Sequence, residues 1–389
     1  MTATQEILKQ TPLYNEHVAL NARIVPFGGW EMPVQYEGIL AEYEHTRKAV
    51  TLFDTCHMGE FLVHGDCRKT GLDALVTMAI ADMPVHSCRY GMLLNDQGGA
   101  IDDLVVFREG QEEWFIVVNG ATTAKDARHF RERLRQPEAF KDISPAIGKI
   151  DVQGPLSRQI LADLVPGIEK LAYYTFDSFN LLGETVRVSR TGYTGELGYE
   201  IYSSSATVTA IWRKLLQNPN VKPAGLGARD VLRLEVGYSL YGHELNETIT
   251  PLEAGLARFV DFTKDFIGKD ALLKQQKEGP RRKITGFISE TRRAPRQDNK
   301  IYTAAGETIG IVTSVPLAPI GIVTSVPLAP IGIVTSGTFS PHCQRGIGLG
   351  LVPIGLASTG QKIYFGDDNT KNLAIISSRT FYKNGSLKT

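Results

Sequence analysis

The stretch NDQGGAIDDLVVF, residues 95–107, joins a glycine-rich turn directly to a run of apolar residues. Turn residues followed by β-branched and aromatic residues predict a hairpin that leads into a strand. Two adjacent carboxylates, Asp102 and Asp103, interrupt the apolar run. Successive side chains of a strand point to opposite faces, so Asp103 should share a face with Ile101 and Val105, and the two aspartates should not share a site.

A buried carboxylate finds a partner or shifts its pKa, because an unpaired charge among apolar neighbours is costly. One of the two aspartates is therefore a candidate functional residue. The alternative is that both are structural, one capping the turn and the other paired with an arginine. Perturbed carboxylates occur in structural networks as well as in active sites, so the segment alone leaves both interpretations open.

The hairpin lies within a pattern that alternates helical and extended signals. Strands are predicted at Arg89–Leu94, Ile101–Phe107 and Trp114–Val118, with helices at Glu37–Val50, Lys69–Ile80 and Thr122–Leu134. A similar order recurs, with strands at Lys149–Val152, Glu184–Ser189 and Leu197–Tyr202 and helices at Leu156–Leu164 and Ala206–Leu216. The pattern predicts two α+β units of related plan.

A chain of 389 residues exceeds what one hydrophobic core usually serves. The polar segment Lys277–Lys283 ends a helical stretch, and we place a domain boundary there, giving regions 1–280 and 281–389. Beyond it, glycine and proline separate short strands, which indicates a small β-barrel. These strands are predicted at Ile284–Ser289, Lys300–Thr303, Ile347–Val352, Gln361–Phe365 and Leu373–Ser377.

An 11-residue tandem duplication at 309–336 interrupts the barrel region. The sequence IGIVTSVPLAP occupies 309–319 and again 320–330, and a third start at 331–336 diverges into GTFSP. Prolines would interrupt sheet pairing, so one IGIVTS segment suffices as the barrel strand and the other copies are expected to be a looped-out passenger. A binding loop is the alternative.

Bulk composition narrows the function classes. Lys plus Arg equals Asp plus Glu at 42 each, so no general attraction to nucleic acid or to an acidic membrane surface is expected. The four cysteines lack zinc-site spacing, and no metal is expected. Since the N-terminus has no apolar signal core and no segment approaches a membrane span, we expect a cytoplasmic protein with reduced thiols.

Two further segments carry polar residues suited to ligand binding. In Arg190–Glu200, glycines flank Tyr193, and if Leu197 and Tyr199 face the core, Glu196 and Glu200 line the other face, where a carboxylate could accept two N–H bonds from a flat heterocycle. Exposed strand glutamates are the commoner case. Arg229 opens a helix after a glycine-rich turn, where its guanidinium either grips a planar polar edge or forms a local salt bridge such as one with Asp230.

Several motifs, in order along nearly the whole chain, together resemble the aminomethyltransferase (T protein) family of the glycine cleavage system. They are Thr11–Tyr14, Phe27–Pro33, Phe53–Glu60, Gly98–Leu104, Arg190–Glu200 and Gly225–Asp230. The resemblance implies an α+β fold class: two related, ferredoxin-like α+β portions form a folate-binding unit, and a C-terminal β-barrel completes a cloverleaf.

The resemblance also implies a reaction in glycine catabolism and one-carbon metabolism. Members of this family take the aminomethyl carbon from the lipoyl arm of the H protein and, with tetrahydrofolate as co-substrate, yield 5,10-methylenetetrahydrofolate, ammonia and the dihydrolipoyl arm. The implied partners are thus lipoylated H protein and folate. An ionised carboxylate could orient the folate nitrogen N10, raise its basicity and stabilise developing positive charge.

By motif match, the resemblance assigns roles to eight residues. Asp103 would be the catalytic carboxylate near N10, with Asp102 structural. Glu200 would accept from the amino edge of the pterin, and Arg229 would contact folate. The remaining folate-pocket or substrate contacts would be Tyr90, Asn119, Tyr173, Tyr193 and Tyr382.

Two alternatives remain on the same scaffold: a folate-dependent demethylase, and a folate-binding protein that performs no transfer. No dinucleotide fingerprint follows a strand, which disfavours an oxidase. The Asp103 carboxylate favours catalysis over binding alone. The sequence departs from the family pattern at the duplication, which puts the local barrel geometry in doubt but not the folate residues.

Overall fold

The computed structural model describes residues 7–303, 330–367 and 369–389. Its contacts divide the chain into two compact units. The first runs to Gly279 and also includes Tyr382–Thr389, and the second is Pro280–Phe381. The division lies within one residue of the predicted boundary, but the last eight residues pack with the first unit and not with the barrel to which 281–389 was assigned.

The first unit contains helices and strands in alternation, as the sequence pattern indicates. Its strands are β1 (Lys9–Gln10), β2 (Arg23–Phe27), β3 (Trp30–Gln35), β4 (Val50–Asp54), β5 (Gly59–His64), β6 (Ser87–Leu94), β7 (Ala100–Arg108), β8 (Glu113–Val118), β9 (Phe140–Asp142), β10 (Ile147–Gln153), β11 (Phe176–Leu181), β12 (Glu184–Ser189), β13 (Gly198–Ser204) and β14 (Val221–Pro223). Its helices are α1 (Tyr14–Ala19), α2 (Ile39–Lys48), α3 (Cys67–Thr70), α4 (Leu72–Leu75), α5 (Thr123–Arg133), α6 (Ser157–Ala162), α7 (Thr207–Leu215), α8 (Leu226–Glu235) and α9 (Lys269–Glu278).

One sheet contains the predicted hairpin and has the strand order β6-β7-β8-β5-β9. β6 and β7 pair antiparallel across a turn in which the Asn95 side chain accepts from the backbone N–H groups of Gln97 and Gly99. Gly98 adopts a φ of +82°, a conformation that glycine adopts without steric cost. The hairpin prediction is confirmed.

A register shift in β7 changes which side chains share a face. Leu93 pairs with Asp102 and Leu94 with Ala100, so Ile101 is the extra residue of a β-bulge. Ile101 therefore packs in the same apolar cluster as Leu104 and Val106, and the prediction that it shares the face of Asp103 is wrong.

The second sheet of this unit has the strand order β11-β12-β13-β10-β4-β14. Each sheet has its own core of buried side chains. A further apolar cluster joins the two sheets, where Phe107 of β7 and Phe115 of β8 meet Tyr202 of β13 at ring-centroid distances of 5.8 and 5.3 Å. One face of each sheet is thus turned toward the other, and polar side chains on those faces lie close together. A small third sheet has the order β1-β3-β2.

The second unit is a closed barrel with the strand order β15-β18-β17-β16-β19-β20. Its strands are β15 (Arg282–Ser289), β16 (Lys300–Thr303), β17 (Gly332–Ser340), β18 (Arg345–Pro353), β19 (Lys362–Gly366) and β20 (Lys371–Ser377). Phe287, Ile301 and Ile363 are among the buried residues that fill it. The predicted α+β fold with a C-terminal barrel is confirmed. Among the described residues, no helix is both long and apolar enough to span a bilayer.

The duplication contributes one barrel strand. β17 begins in the third start of the repeat, at Gly332, and continues through GTFS. The two full copies lie outside the described residues, apart from Pro330. The prediction that they are a looped-out passenger, or a binding loop, stays untested.

One predicted helix is wrong in extent. In place of a helix at Lys69–Ile80, the chain forms the short helices α3 and α4, separated by Gly71 at a φ of +86°. At Val76 the backbone is extended, so the second helix ends there. A left-handed glycine ends a helix, and here it stops the first one after a single turn.

Candidate active site between the two sheets

Asp103 is held by two donors on the face that β7 turns toward the second sheet. The Tyr90 hydroxyl donates to its Oδ2 at 2.9 Å, and the Asn119 amide Nδ2 donates to its Oδ1 at 2.9 Å. Burial, and then the neighbouring Asp102 carboxylate, raise the pKa of Asp103 to about 7, although both hydrogen bonds act in the opposite direction. A carboxylate with such a pKa can gain or lose a proton near neutral pH.

Asp102 is fully buried and shares the same asparagine. Its Oδ1 accepts from Asn119 Nδ2 at 2.9 Å, and its Oδ2 accepts from the Asn119 backbone N–H at 3.0 Å and from the Thr122 hydroxyl at 2.9 Å. The prediction that the two aspartates do not share a site is therefore wrong. Asn119 follows the last residue of β8, and from there its amide reaches both carboxyls, although they leave the strand on opposite sides.

Tyrosines connect Asp103 to the rest of the site. Tyr193 interacts electrostatically with Asp103, and the guanidinium of Arg229 lies 5.0 Å from the centre of its ring. Tyr238 lies beside Tyr193, with ring centres 5.7 Å apart, and interacts electrostatically with Tyr173. The Tyr193 hydroxyl donates to the Ser239 carbonyl. Tyr90, Asn119, Tyr173 and Tyr193 thus lie in one region with Asp103.

The other end of the region contains a network of opposite charges on β10 and β13. Lys149, 1% exposed, lies with its Nζ 2.7 Å from Asp151 Oδ1 and 3.1 Å from Glu200 Oε2. Arg229 Nη1 donates to Asp151 Oδ2 at 2.7 Å. Burial alone would raise the pKa of Asp151, but the Lys149 and Arg229 cations lower it to about 2. The carboxylate is held ionised at any physiological pH.

Glu200 combines a fixed oxygen with an open one. Its Oε2 accepts from the Tyr202 hydroxyl at 2.7 Å and faces Lys149. Among the described residues, no hydrogen bond of the protein reaches its Oε1. Leu197 and Tyr199 face the core as predicted, but Glu196 precedes β13 and pairs with Arg47 at 2.9 Å, so Glu196 and Glu200 do not line one site.

Arg229 does not form the local salt bridge with Asp230 that the sequence left open. Asp230 pairs instead with Arg233 at 2.8 Å, and Arg229 reaches Asp151, 78 residues away in sequence. The central carbon of its guanidinium lies 5.0 Å from the centre of the Tyr193 ring. Arg229 and Glu200 are therefore joined through Asp151 and Lys149.

Tyr382 was predicted to contact the substrate, but its described contacts are with residues other than those around Asp103 and Glu200. Its ring lies over the guanidinium of Arg47 at 3.9 Å, and its backbone N–H donates to the Glu235 carbonyl at 2.8 Å. Ser386 donates to Glu196, so the terminal segment is fixed to the first unit.

Three buried residues of this region were missed by sequence reasoning: Lys149, Asp151 and Glu60. The signal for the first two was present, since charged residues two apart on a strand share a face and such residues are rarely buried without a partner. Glu60 is fully buried on β5, and neither of its carboxylate oxygens has a hydrogen-bond partner among the described residues. Burial raises the pKa of this carboxyl well above the ordinary value. No group of three or more His, Cys, Asp or Glu able to hold a metal ion occurs in the described part of the chain.

Comparison with known families gives two matches in order along the chain. Residues 13–264 match the GCVT N-terminal domain, and residues 282–383 match the glycine cleavage T-protein C-terminal barrel domain. The chain belongs to the glycine cleavage T-protein family. The resemblance inferred from the sequence motifs is thereby confirmed.

Relatives within this family match over almost their whole length. A protein of Pseudothermotoga lettingae named aminomethyltransferase is 40% identical, with 98% of this chain and 99% of the relative covered. One of the same name from Thermoanaerobacter sp. is 38% identical, with 97% and 98% covered. The crystal structure of glycine cleavage system aminomethyltransferase T from Bartonella henselae matches with a TM-score of 0.85 at 28% identity, covering 97% of this chain and 99% of that one.

Proposed function

We propose that this protein transfers the aminomethyl carbon from the lipoyl arm of an H protein to tetrahydrofolate, yielding 5,10-methylenetetrahydrofolate, ammonia and the dihydrolipoyl arm. Family membership and the names of the relatives support a transferase of the glycine cleavage system. The observation that carries the folate-dependent reaction is a half-buried carboxyl that titrates near pH 7, Asp103, in one region with a fixed carboxylate, Glu200.

The residues of this region fit the polar edge and the flat ring of a pterin. Glu200 Oε1 is open to accept from ring N–H groups, while Lys149 and Tyr202 fix the other oxygen. Tyr193 offers a flat surface beside Arg229 for stacking. Lys149 lies 3.1 Å from Glu200 Oε2 and so compensates the charge of this partly buried carboxylate.

Asp103 provides the proton-transfer group. When bound, tetrahydrofolate would supply the nitrogens that form two new C–N bonds, while the C–N bond to the leaving amine and the C–S bond to the lipoyl arm break. Two N–H protons are displaced, and they end on the ammonia and on the dihydrolipoyl sulfur. Ionised Asp103 would hold the proton of folate N10, with Tyr90 and Asn119 fixing its two oxygens.

Reconstitution tests the proposal directly. The purified protein is mixed with aminomethyl-loaded H protein and tetrahydrofolate, and both ammonia and methylenetetrahydrofolate are measured. We expect the two products in equal amounts, and neither product when folate is omitted. Folate binding without either product would contradict the transfer and favour a folate-binding protein that performs no chemistry. Formation of methylenetetrahydrofolate from a methylated amine, without H protein, would favour the demethylase.

A further inference from the structure

Asp126 is a fully buried carboxyl whose two oxygens accept no hydrogen bond of standard geometry from the described residues. It lies in the first turn of α5, and neither of its oxygens accepts a hydrogen bond from an N–H group of the described residues. The Thr122 hydroxyl also interacts favourably with Asp126, but it has a single proton to donate, and its oxygen lies 2.9 Å from both Asp102 Oδ2 and the Asn119 carbonyl oxygen. A carboxylate buried in this way carries an uncompensated charge unless a proton is supplied from elsewhere.

The other neighbour is Asp102, whose buried carboxyl interacts electrostatically with that of Asp126 and accepts from the same Thr122 hydroxyl at 2.9 Å. Two carboxylates are both acceptors and repel each other, so contact between them requires one proton on the pair. Burial and then Asp126 raise the pKa of Asp102 well above the ordinary value, whereas the hydrogen bond from Asp102 lowers that of Asp126, which burial raises to about 6. These directions leave the proton on Asp102.

We propose that Asp102 and Asp126 share a single proton, and that this pair positions Asp103 and sets its ionisation through Asn119. This inference rests on the proposed catalytic function of Asp103. With the proton on Asp102, the negative charge of the pair lies on Asp126, and burial remains the main cause that raises the pKa of Asp103. Asp102 and Asp126 are thus positioning residues, and neither needs to touch the substrate.

Other charged or titratable groups around the three carboxyls do not replace the shared proton. Lys125 is engaged elsewhere: its Nζ donates to the Ile101 carbonyl at 2.8 Å and to Tyr241 at 2.7 Å, and pairs with Glu247 at 2.9 Å. Tyr90 and Tyr193 face Asp103, and burial raises the pKa of both hydroxyls above the ordinary value, so both stay neutral. No cation among the described residues is paired with Asp102 or Asp126.

Infrared spectroscopy of the full-length protein, with its aspartate side-chain carboxyls labelled with carbon-13, tests the shared proton without any activity measurement. The aspartate label separates the pair from the buried Glu60, whose carboxyl pKa burial also raises. At mildly alkaline pH, we expect the wild type to retain a protonated aspartate band. Asp102→Asn and Asp126→Asn should each remove it, since the new amide donates to the remaining carboxylate, and Asp103→Asn should keep it. Absence of the band in the wild type, or its persistence in both variants, would overturn the proposal.

The pH profile of kcat/KM for transfer tests the link to Asp103. Asp102→Asn imitates the protonated carboxyl and should leave the acid limb where it is. In Asp126→Asn, the amide donates to Asp102 and stabilises its charge beside Asp103, so the limb should move up by about one pH unit. The reverse pattern, a lower limb in Asp102→Asn and no shift in Asp126→Asn, would show that Asp102 is ionised and would contradict the inference.

The two experiments separate this inference from the proposed function. If the infrared band is missing while ammonia and methylenetetrahydrofolate form, the proton-sharing pair is refuted and the transfer stands. If the band behaves as expected while no product forms, the pair exists and the proposed catalytic function fails.

Discussion

The two ends of the candidate site contain buried carboxyls whose pKa values are shifted in opposite directions. At the Glu200 end, Lys149 and Arg229 lie within 2.7 Å of Asp151 and lower its pKa to about 2. At the Asp103 end, tyrosine, asparagine and threonine are the donors, and the pKa of Asp103 rises to about 7. Fixed charges suit recognition of a ligand, whereas a group that titrates near neutral pH suits proton transfer. The nearby cations therefore account for which buried carboxylate is kept ionised and which one can titrate near neutral pH.

The largest effect should follow from Asp103→Asn, because asparagine keeps the shape but cannot take up a proton. We expect transfer to fall by about a hundred- to ten-thousandfold while folate affinity changes little. Single-turnover transfer and equilibrium folate binding measure the two quantities. Asp102→Asn is the matched control and should lose far less, so equal losses from the two variants would refute the separate roles.

Removing the cation from the other end should damage stability more than chemistry. Lys149→Met leaves Asp151 and Glu200 buried without the lysine that faces both, and we expect the free energy of unfolding to fall by about 3 to 5 kcal/mol. Urea unfolding measures the loss. Lys48→Met serves as the control, because that lysine is 74% exposed and pairs with the exposed Glu44. Similar stability in the two variants would show that the network does not compensate buried charge.

Glu200→Gln should weaken folate binding and leave the chemical step largely intact. Loss of a charged acceptor for ring N–H groups should raise the Kd for tetrahydrofolate by about ten- to a hundredfold. Titration followed by fluorescence or calorimetry gives the affinity. Glu113→Gln, at an exposed position on β8, is the control. An unchanged Kd for Glu200→Gln would remove that residue from the site.

The smallest effect concerns the stability of Asp103→Asn itself. Between pH 3.8, the ordinary pKa of an aspartate, and about pH 7, Asp103 keeps its proton in the folded protein but loses it in the unfolded chain. The stability that this proton contributes is fully present at low pH and is lost as the pH rises through about 7. Asparagine avoids that loss, and we expect a gain on the order of 1 kcal/mol at alkaline pH, because solvent screens the charge of this partly exposed carboxyl. Urea unfolding at acidic and alkaline pH should show the gain at alkaline pH alone. A gain at both pH values would assign it to another cause.

Part of the fold and most of the candidate site could be predicted from the sequence. The hairpin, the strands around it and the barrel were predictable, because turn residues and alternation are local signals. The candidate residues came from ordered motifs, and the structure brings seven of the eight into one region. The hydrogen bonds from Asn119 to both aspartates could not be predicted. The alternation of side chains in β7 gives no information about a side chain that extends from the end of β8.

The ion pairs of Lys149 and Asp151 also could not be predicted from the sequence. Lys149 and Asp151 were visible as charged residues on a predicted strand, but their partners Glu200 and Arg229 are about 50 to 80 residues away in the chain. The face predicted for Ile101 was wrong for a different reason: a β-bulge at this residue reverses which side chains of the strand share a face. Cross-sheet partners and bulges depend on tertiary packing, which no local pattern encodes.

The pH dependence of kcat/KM for transfer in the wild type tests most directly whether the Asp103 end performs the chemistry. If Asp103 must be ionised, kcat/KM should rise about tenfold per pH unit below about pH 7 and should level off above that pH. The Asp103→Asn variant should retain only a low rate without this limb. A wild-type profile that is flat through neutral pH, or that falls as pH rises, would contradict the assignment of Asp103 as the proton-transfer group.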